Sequence, residues 1–270
     1  MRPERIALIG CGHMGGALLA RWIAAFPDIA FDVVAPSGLD EQFVSCERVR
    51  HYSAVFSGIS EADLVVLAVK PQIMPEVLGE LKSVMSAGQC VVSVAAGFLI
   101  EGIVGGLAPE QPVVRVMPNM PCALGAGVSV GVANRFVLDV PKGWIADLFA
   151  ACGVFDWGDD EGLLHAVTAV SGSGPAYIYH VVEVLERAAV VAGLSADLAA
   201  RLARQTVVGA AAVLADGDLP PAELRAQVTS KAGTTEAGLS VLMDGRLDTV
   251  LGETVAAAAA RSRALGSHNT

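Results

Sequence analysis

Three glycines near the start of the chain constrain its fold more than any other feature. Gly10, Gly12 and Gly15 follow the apolar run RIALIG (5–10) in GxGxxG spacing and open a helical pattern, HMGGALLARWIAAF. In a strand–turn–helix of this kind, the first glycine permits a tight turn and the second lets the backbone approach a pyrophosphate. The third lets helix and strand pack closely, and the helix N-terminus offers N–H groups to phosphate. The stretch therefore predicts a dinucleotide-binding turn.

Short apolar runs alternate with helical patterns through the first part of the chain. These runs are rich in Val, Ile and Leu without polar alternation, as expected of strands buried on both faces. They are RIALIG (5–10), FDVVAP (31–36), LVVLAV (64–69), CVVSVA (90–95) and PVVRVM (112–117). Residues 125–134 and 152–159 have the pattern of two further edge strands. The repetition predicts an α/β Rossmann-type domain with a doubly wound parallel sheet over residues 1–160.

Residues 161–270 carry almost no strand pattern. Ala-, Leu- and Val-rich segments with a helical period predict helices at 175–192, 196–216, 220–229, 234–243 and 247–264. Several of them are apolar nearly all round, so they must be buried on every side. One chain is too short here to bury them alone, and the mean hydropathy of +0.55 is high for a soluble protein. We therefore expect an all-α domain through which the chain dimerises.

Composition and charge exclude several classes of protein. Hydrophobic residues make up 53% and charged residues 17%, which favours a large core over disorder. The net charge of −10 argues against a nucleic-acid partner. No apolar run reaches the roughly 18 residues of a spanning helix, and no signal peptide precedes the first strand. Five scattered cysteines fit reduced thiols, and five histidines lack metal-ligand spacing. We expect a cytoplasmic protein without a membrane partner or a metal.

The end of the second predicted strand indicates which dinucleotide binds. Sites for NAD usually carry Asp or Glu there, bonded to the ribose 2′-hydroxyl. Here the strand ends at Ala35 and Pro36, and Ser37 follows as a donor for a 2′-phosphate. No arginine adjoins Ser37, since the next ones are Arg48 and Arg50. We expect NADPH, with NADH as the alternative.

Other strand ends lie on the same rim of the predicted sheet, where doubly wound folds bind ligands. Lys70 follows the strand that ends in AVKPQ, and its alternative role is that of a solvated loop lysine. Asn119 of MPNMP is a candidate nicotinamide or substrate contact, or a structural residue. The predicted cofactor-binding residues are Gly10, Gly12, His13, Met14, Gly15, Ser37, Ala68, Lys70, Ala96, Gly97 and Asn119.

Two motifs of the helical part have both a structural and a functional interpretation. Thr168 and Ser171 precede Gly172, Gly174 and Pro175, and from spacing alone they form an N-cap and a glycine-rich elbow. The stretch VTSKAGTTEAGL (228–239) is either a helix–helix turn or a helix start whose N–H groups and hydroxyls bind an anion. The residues alone leave both alternatives open.

A series of motifs stands in the order found in the pyrroline-5-carboxylate reductase family: GCGHMGG, AVKP, SVAAG, MPNMP, SGSGPAY and TSKAGTTEAGL. The chain resembles that family over nearly its whole length, and the last two motifs are specific to it. The resemblance implies NAD(P)H-dependent reduction of Δ1-pyrroline-5-carboxylate to L-proline, the last step of proline biosynthesis. It also implies an obligate homodimer with interleaved C-terminal helices, which commonly assembles further to a homodecamer.

The resemblance also implies roles for single residues. Thr168 would bond the ring nitrogen of the substrate. The substrate carboxylate would be held in a loop of the partner subunit, by residues that correspond to Ser230, Gly233, Thr234 and Thr235. The family usually has Ser-Pro-Gly-Gly-Thr-Thr there and Thr in its MPNTP motif. The departures in this chain, which bear on substrate affinity, are Lys231, Ala232 and Met120.

A β-hydroxyacid dehydrogenase is the nearest enzymatic alternative. Those enzymes have a similar plan but use a lysine on the helix after a Gly-x-Gly turn. Four residues after Gly174 stands Ile178, and that helix has no lysine, which argues against alcohol oxidation with a general base. A reductase of another cyclic imino acid and a non-catalytic NADP-binding regulatory protein are the remaining alternatives.

Overall fold

The Val-, Ile- and Leu-rich runs of the N-terminal part form the strands of one sheet. The computed structural model describes residues 3–86 and 88–266. In chain order the strands are β1 (Arg5–Ile9), β2 (Ala30–Val34), β3 (Val49–Tyr52), β4 (Leu64–Leu67), β5 (Cys90–Ser93), β6 (Val113–Met117), β7 (Gly127–Ala133) and β8 (Gly153–Trp157).

Within the described residues the sheet has eight strands in the order β3-β2-β1-β4-β5-β6-β7-β8. Strands β1 to β6 are parallel, which confirms the Rossmann-type α/β domain. Strand β7 runs antiparallel to β6 and parallel to β8. The expectation of two edge strands at this side was wrong for β7, because β8 pairs with it and alone forms the edge. Apolar residues pack on both faces of the sheet, as unalternated strands require.

Strand β3 is missing from the sequence prediction. Its residues are VRHY, and none of them is buried, so it carries neither an apolar run nor a regular alternation. An edge strand faces solvent along one side and needs little apolar content. Its pairing with β2 in parallel register, from Phe31↔Val49 to Val34↔Tyr52, defines it instead.

Helices of the N-terminal part cover the sheet. They are α1 (His13–Ala25), α2 (Glu41–Val44), α3 (Met74–Lys82), α4 (Ile100–Gly106), α5 (Asp139–Ala150) and α6 (Leu163–Val167). On one face, Trp22 of α1 stacks on Phe31 and meets Phe149 edge-on. Its indole Nε1 donates to the carbonyl of Leu148 at 2.9 Å. The helix after the glycine turn is thereby fixed against β2 and α5, which sets the direction of its N-terminus.

Helix α6 continues directly into a π-helical turn, Thr168–Gly172. The interpretation of Thr168 and Ser171 as an N-cap and elbow is therefore wrong, since both have helical backbone and Ser173 N donates to the carbonyl of Thr168 at 2.8 Å. Such i→i+5 turns are rare and frequently occur at functional sites.

Five further helices follow in the part of the chain that is described, up to residue 266. They are α7 (Gly174–Val191), α8 (Ala196–Ala215), α9 (Pro221–Gln227), α10 (Thr234–Leu242) and α11 (Arg246–Gly266). They match the predicted helices to within two residues at each end. No strand lies between 161 and 266 in the described chain, which confirms the all-α C-terminal part. The chain divides into two compact units. One is Gly174–Ala256, and the other consists of the residues up to Ser173 together with the last part of α11, from Ala257.

Gly174–Ala256 leaves most of its apolar side chains exposed. The only buried side chains described in this unit are those of Ala199 and Ala203, whereas Val191 is 90% exposed. Helix α8 is also long and apolar enough to cross a membrane by length and composition alone. One such helix is weak evidence, because core helices of soluble proteins have the same properties. The sequence analysis looked for an uninterrupted apolar run of about 18 residues. Helix α8 contains charged and polar residues, so that search did not identify it.

Candidate functional site

The glycine turn after β1 has the geometry that its spacing predicts. Gly10 has φ +94°, and a Cβ placed on it would lie 2.8 Å from the carbonyl oxygen of Ala68. A Cβ on Gly15 would collide with the carbonyl oxygen of Gly10. Gly12 is different, because a Cβ there meets no atom within 4 Å. The outer two glycines are needed for the protein's own packing, and the space beside Gly12 is open, as a cradle for a pyrophosphate requires.

Gly12 is also the N-cap of α1, and no side chain caps this helix end. The first N–H groups of a helix precede its hydrogen-bond ladder and remain available to a ligand. Those of His13 and Met14 are in this position. The Met14 side chain points elsewhere, since its sulfur lies 3.9 Å from Sγ of Cys122. Only the backbone of Met14 therefore suits the predicted role in the site.

Two clefts flank the glycine turn. The larger, of about 790 Å³, is lined by Cys11, Gly12, His13, Asp40 and Lys70, among others. Lys70 is exposed there, at the end of β4 as predicted. Asp40 was not identified from the sequence. Burial, and secondarily the charge of Asp40, raises the pKa of Cys11 to about 11. Cys11 is therefore a neutral thiol beside the glycine turn at physiological pH.

The smaller cleft lies at the carboxyl ends of β1, β2 and β3. Its lining includes Gly10, Pro36 and Ser53, and Ser37 is exposed in the turn after β2. Ser53 was not identified from the sequence because β3, which it follows, was not. Arg48 does not serve this cleft, since its guanidinium donates to the carbonyls of Ile23, Phe26 and Ile29 at the end of α1.

Gly97 approaches another part of the protein closely. It has φ +72°, and a Cβ on it would lie 2.9 Å from Cβ of Leu265, near the end of α11. The lack of a side chain at Gly97 therefore allows this strand end to pack against α11. Ala96, the preceding residue, is exposed. The cofactor contacts predicted for Ala68, Ala96 and Gly97 stay predictions.

Asn119 lies at the end of β6 and is 7% exposed. Its Oδ1 accepts from the N–H of Val128 at 3.0 Å, and its Nδ2 donates to the carbonyl of Ser171 at 3.1 Å. The side-chain amide therefore joins three segments of the protein. The sequence suggested that Asn119 contacts the nicotinamide. Both the oxygen and the nitrogen of its side-chain amide already bond to the protein, so a nicotinamide would have to share one of them.

The hydroxyls of the π-helical turn bond to backbone carbonyls of the turn before. Thr168 Oγ1 donates to the carbonyl of Leu164 at 2.6 Å, and Ser171 Oγ donates to that of Val167 at 2.9 Å. A hydroxyl has one proton, so the Thr168 oxygen offers only its lone pairs to a further partner.

His165 is one turn before Thr168. Its Nδ1 lies 2.9 Å from Oγ of Ser262 on α11. Burial lowers its pKa first, and the positive charges of Arg115 and Arg263 lower it further. The imidazole is therefore neutral at physiological pH, and its tie to Ser262 gives it a structural role.

The loop before α10 has the helix start that the sequence predicted. Gly233 is the N-cap, and Thr234 and Thr235 are the first helical residues. The helical ladder begins with Ala237 N donating to Gly233 O at 3.2 Å, so the N–H groups of Thr234 and Thr235 precede it. Ser230 and Lys231 are exposed. This loop lies in the Gly174–Ala256 unit, whereas Thr168 lies in the other.

Ala232 departs from the usual glycine of the family, and the structure shows a cost. It is the only described non-glycine residue with positive φ, at 58°. Its N–H donates to Oε2 of Glu236 at 2.6 Å, which holds the residue in this conformation. An L-residue in the left-handed region costs about 1–2 kcal/mol, whereas glycine adopts it freely.

Ala232→Gly is therefore expected to stabilise the protein. The relief of strain exceeds the extra chain entropy of glycine by about 0.5–1 kcal/mol, which corresponds to a Tm increase of about 1–4 °C. Calorimetry on both proteins at equal concentration measures this. Ala237→Gly, in the helical part of α10, is the control and should lower Tm. An unchanged or lower Tm for Ala232→Gly would show that the loop is unstrained.

Comparison with known proteins identifies the family. Residues 161–265 match the family described as pyrroline-5-carboxylate reductase dimerisation, and residues 5–97 match the family described as NADP oxidoreductase, coenzyme F420-dependent. The pyrroline-5-carboxylate reductase of Pseudomonas aeruginosa is 36% identical over 98% of each chain.

Two solved structures have the same fold along the chain. The pyrroline-5-carboxylate reductase of Coxiella burnetii superposes with a TM-score of 0.91 at 33% identity and covers 98% of this chain and 99% of its own. The Plasmodium falciparum pyrroline carboxylate reductase, solved with NADP bound, gives 0.83 at 30% identity with the same coverage. The glycine cradle, the all-α dimerisation part and the full-length similarity together place this chain in the pyrroline-5-carboxylate reductase family.

Proposed function

We propose that this protein reduces Δ1-pyrroline-5-carboxylate to L-proline with NADPH, in the last step of proline biosynthesis. The observation that carries the proposal is the uncapped helix start at Gly233, Thr234 and Thr235, which suits an anion without an arginine, in a chain that also has open space beside Gly12. Bound at that cradle, the cofactor would supply the hydride for the substrate carbon next to nitrogen. The residues of the chain would position the substrate carbon next to the nicotinamide and hold the ring nitrogen and the carboxylate.

Thr168 is proposed to hold the ring nitrogen. Its proton is committed to the carbonyl of Leu164 at 2.6 Å, so its oxygen serves as an acceptor. A neutral imine nitrogen is itself an acceptor and makes no hydrogen bond to that oxygen. A protonated imine donates one and is also the more electrophilic form. Thr168 would thus select the substrate form that is ready to accept a hydride.

The substrate carboxylate is proposed to bind at the start of α10. The N–H groups of Thr234 and Thr235 and their hydroxyls are donors, and the helix dipole adds positive potential. Ser230 would add a hydroxyl and Gly233 close backbone approach. The N–H of Ala232 is engaged by Glu236, so it takes no part. In the dimer this loop would serve the nicotinamide of the neighbouring subunit.

A direct assay tests the proposal. NADPH absorbance is followed with Δ1-pyrroline-5-carboxylate, and a β-hydroxyacid with NADP serves as the control for the alternative dehydrogenase. Oxidation of NADPH with the imino acid and no reduction of NADP with the hydroxyacid is the expected result. Turnover of the hydroxyacid alone would contradict it.

We propose NADPH rather than NADH because the polar group after β2 is Ser37 and no acid stands at the end of that strand. Ala35 is 4% exposed, so an acid there would be buried, and Ser37 is the better place to introduce one. Ser37→Asp is expected to raise KM for NADPH about tenfold by repulsion of the 2′-phosphate and to leave KM for NADH nearly unchanged. Ser37→Ala is the uncharged control. Equal effects of Ser37→Asp on both cofactors would argue against a 2′-phosphate at this position.

We propose an obligate dimer formed through the helices after residue 161, with a decamer as a further assembly, and a cytoplasmic location. The apolar side chains that Gly174–Ala256 exposes support the dimer, among them Val191 at 90%, Val228 at 69% and Val241 at 62%. The five free cysteines fit a reducing compartment, which supports the cytoplasmic location.

The dimer is tested by analytical ultracentrifugation, which at nanomolar concentration should show no folded monomer. A stable folded monomer would contradict the proposal.

A further inference from the structure

The carbonyl of Ser171 lies in the π-helical turn and lacks the donor that an α-helix would give it. In an α-helix it would accept from the N–H four residues later, but that residue is Pro175, which has no N–H. The chain is also π-helical at this point, since Ser173 N reaches back to the carbonyl of Thr168. Ser171 is half-buried, and a side-chain donor can take the place of the missing N–H.

Asn119 supplies this donor. Its Nδ2 donates to Ser171 O at 3.1 Å, while its Oδ1 is oriented by the N–H of Val128 at 3.0 Å. The residue is 7% exposed and follows β6, a strand in the interior of the sheet. The sheet thus holds the π-helical turn at its fourth residue, and Met117 lies beneath the fifth, with its sulfur 3.7 Å from where a Cβ on Gly172 would be.

We infer that Asn119 is a positioning residue, which fixes the π-helical turn and with it the Thr168 hydroxyl, and is not a cofactor contact. If the turn became α-helical, its hydrogen bonds would span four residues instead of five. This shift by one residue would rotate Thr168 by about 100° relative to the residues after it. The inference that this affects turnover rests on the proposed function, in which Thr168 holds the ring nitrogen. The structural part of it, control of the turn by Asn119, does not.

The chain offers a matched control. Asn134 makes the same kind of link at the other end of the β6–β7 pair, where its Oδ1 accepts from Val113 N at 3.2 Å and its Nδ2 donates to Gln111 O at 2.8 Å. Asn119→Asp and Asn134→Asp each keep the acceptor and remove one donor to a carbonyl. Only the first variant disturbs the π-helical turn.

Four measurements on the unmodified protein and both variants test the inference. They are thermal unfolding, hydrogen–deuterium exchange of the peptide that contains the Ser173 amide, direct titration with NADPH, and steady-state kinetics. Asn119→Asp should accelerate exchange at Ser173, lower kcat about tenfold and leave the NADPH Kd within about twofold. Asn134→Asp should reproduce any fall in Tm with unchanged exchange at Ser173 and unchanged kcat.

Two results would overturn the inference. The first is a weaker NADPH Kd in Asn119→Asp with unchanged Ser173 exchange, which would make Asn119 a cofactor contact. The second is an equal loss of kcat in Asn134→Asp, which would make the effect one of general stability. If Asn119→Asp does not fold, Asn119→Ala, without the added charge, undergoes the same exchange measurement. If the unmodified protein fails to reduce the imino acid, exchange and titration still decide the role of Asn119.

Discussion

Gly12→Ala is expected to weaken NADPH binding about 10- to 100-fold without lowering Tm. The added Cβ meets no protein atom within 4 Å, so the folded protein accommodates it. It occupies the space into which the pyrophosphate must fit, and overpacking of that kind costs about 1–3 kcal/mol. Isothermal titration with NADPH and a thermal melt of the same sample separate the two effects.

Two other glycines serve as controls for Gly12. Gly15→Ala should lower both Tm and affinity, because its Cβ collides with the carbonyl of Gly10 inside the protein. Gly79→Ala, on α3 with nothing within 4 Å, should leave the affinity unchanged. Undiminished NADPH affinity of Gly12→Ala would show that no pyrophosphate lies beside Gly12.

Thr235→Ala is expected to lower kcat/KM for Δ1-pyrroline-5-carboxylate by about one to two orders of magnitude. A lost hydrogen bond to a charged group costs about 1.5–3 kcal/mol, and about 1.4 kcal/mol corresponds to a factor of ten. NADPH affinity should change little, because the loop is proposed to contact the substrate carboxylate and not the pyrophosphate. Thr168→Val should act mainly on kcat if its bond to nitrogen strengthens as the hydride arrives.

Ser240→Ala is the control on the same helix, since the Ser240 hydroxyl donates to the carbonyl of Ala237 and is remote from the helix start. Its kcat/KM should equal that of the unmodified protein. If Thr235→Ala behaved in the same way, the loop before α10 would be a helix–helix turn without a role in binding.

The sequence predicted well wherever one element carries its own pattern. The GxGxxG spacing locates Gly10, Gly12 and Gly15 and predicts the tight turn and the close helix–strand packing, because both follow from local backbone geometry. The helices after residue 161 were found because their Ala-, Leu- and Val-rich segments carry a helical period and are separated by turn residues. The helix start at Thr234 was found because Gly-Thr-Thr follows a turn sequence and precedes an apolar run.

Features that depend on a distant partner could not be predicted. Strand β3 is defined by its pairing with β2 and not by an apolar pattern of its own. The packing of Gly97 against Leu265, far along the chain, had no signal in the sequence, and the predicted cofactor contact of Gly97 stays a prediction. The engagement of Asn119 depends on Ser171 in the same way. The absence of an N–H at Pro175 is a local signal that the carbonyl of Ser171 is open to a side-chain donor.

Transfer of an isotopic label tests the central claim most directly. The protein is incubated with Δ1-pyrroline-5-carboxylate and NADPH that carries deuterium at C4, with each of the two faces of the nicotinamide labelled in turn. We expect L-proline with one deuterium at C5 from one of the two labelled cofactors and unlabelled L-proline from the other, with one NADPH consumed per proline. Absence of proline, or proline without deuterium from both labelled cofactors, would contradict the assignment of this chain as a pyrroline-5-carboxylate reductase.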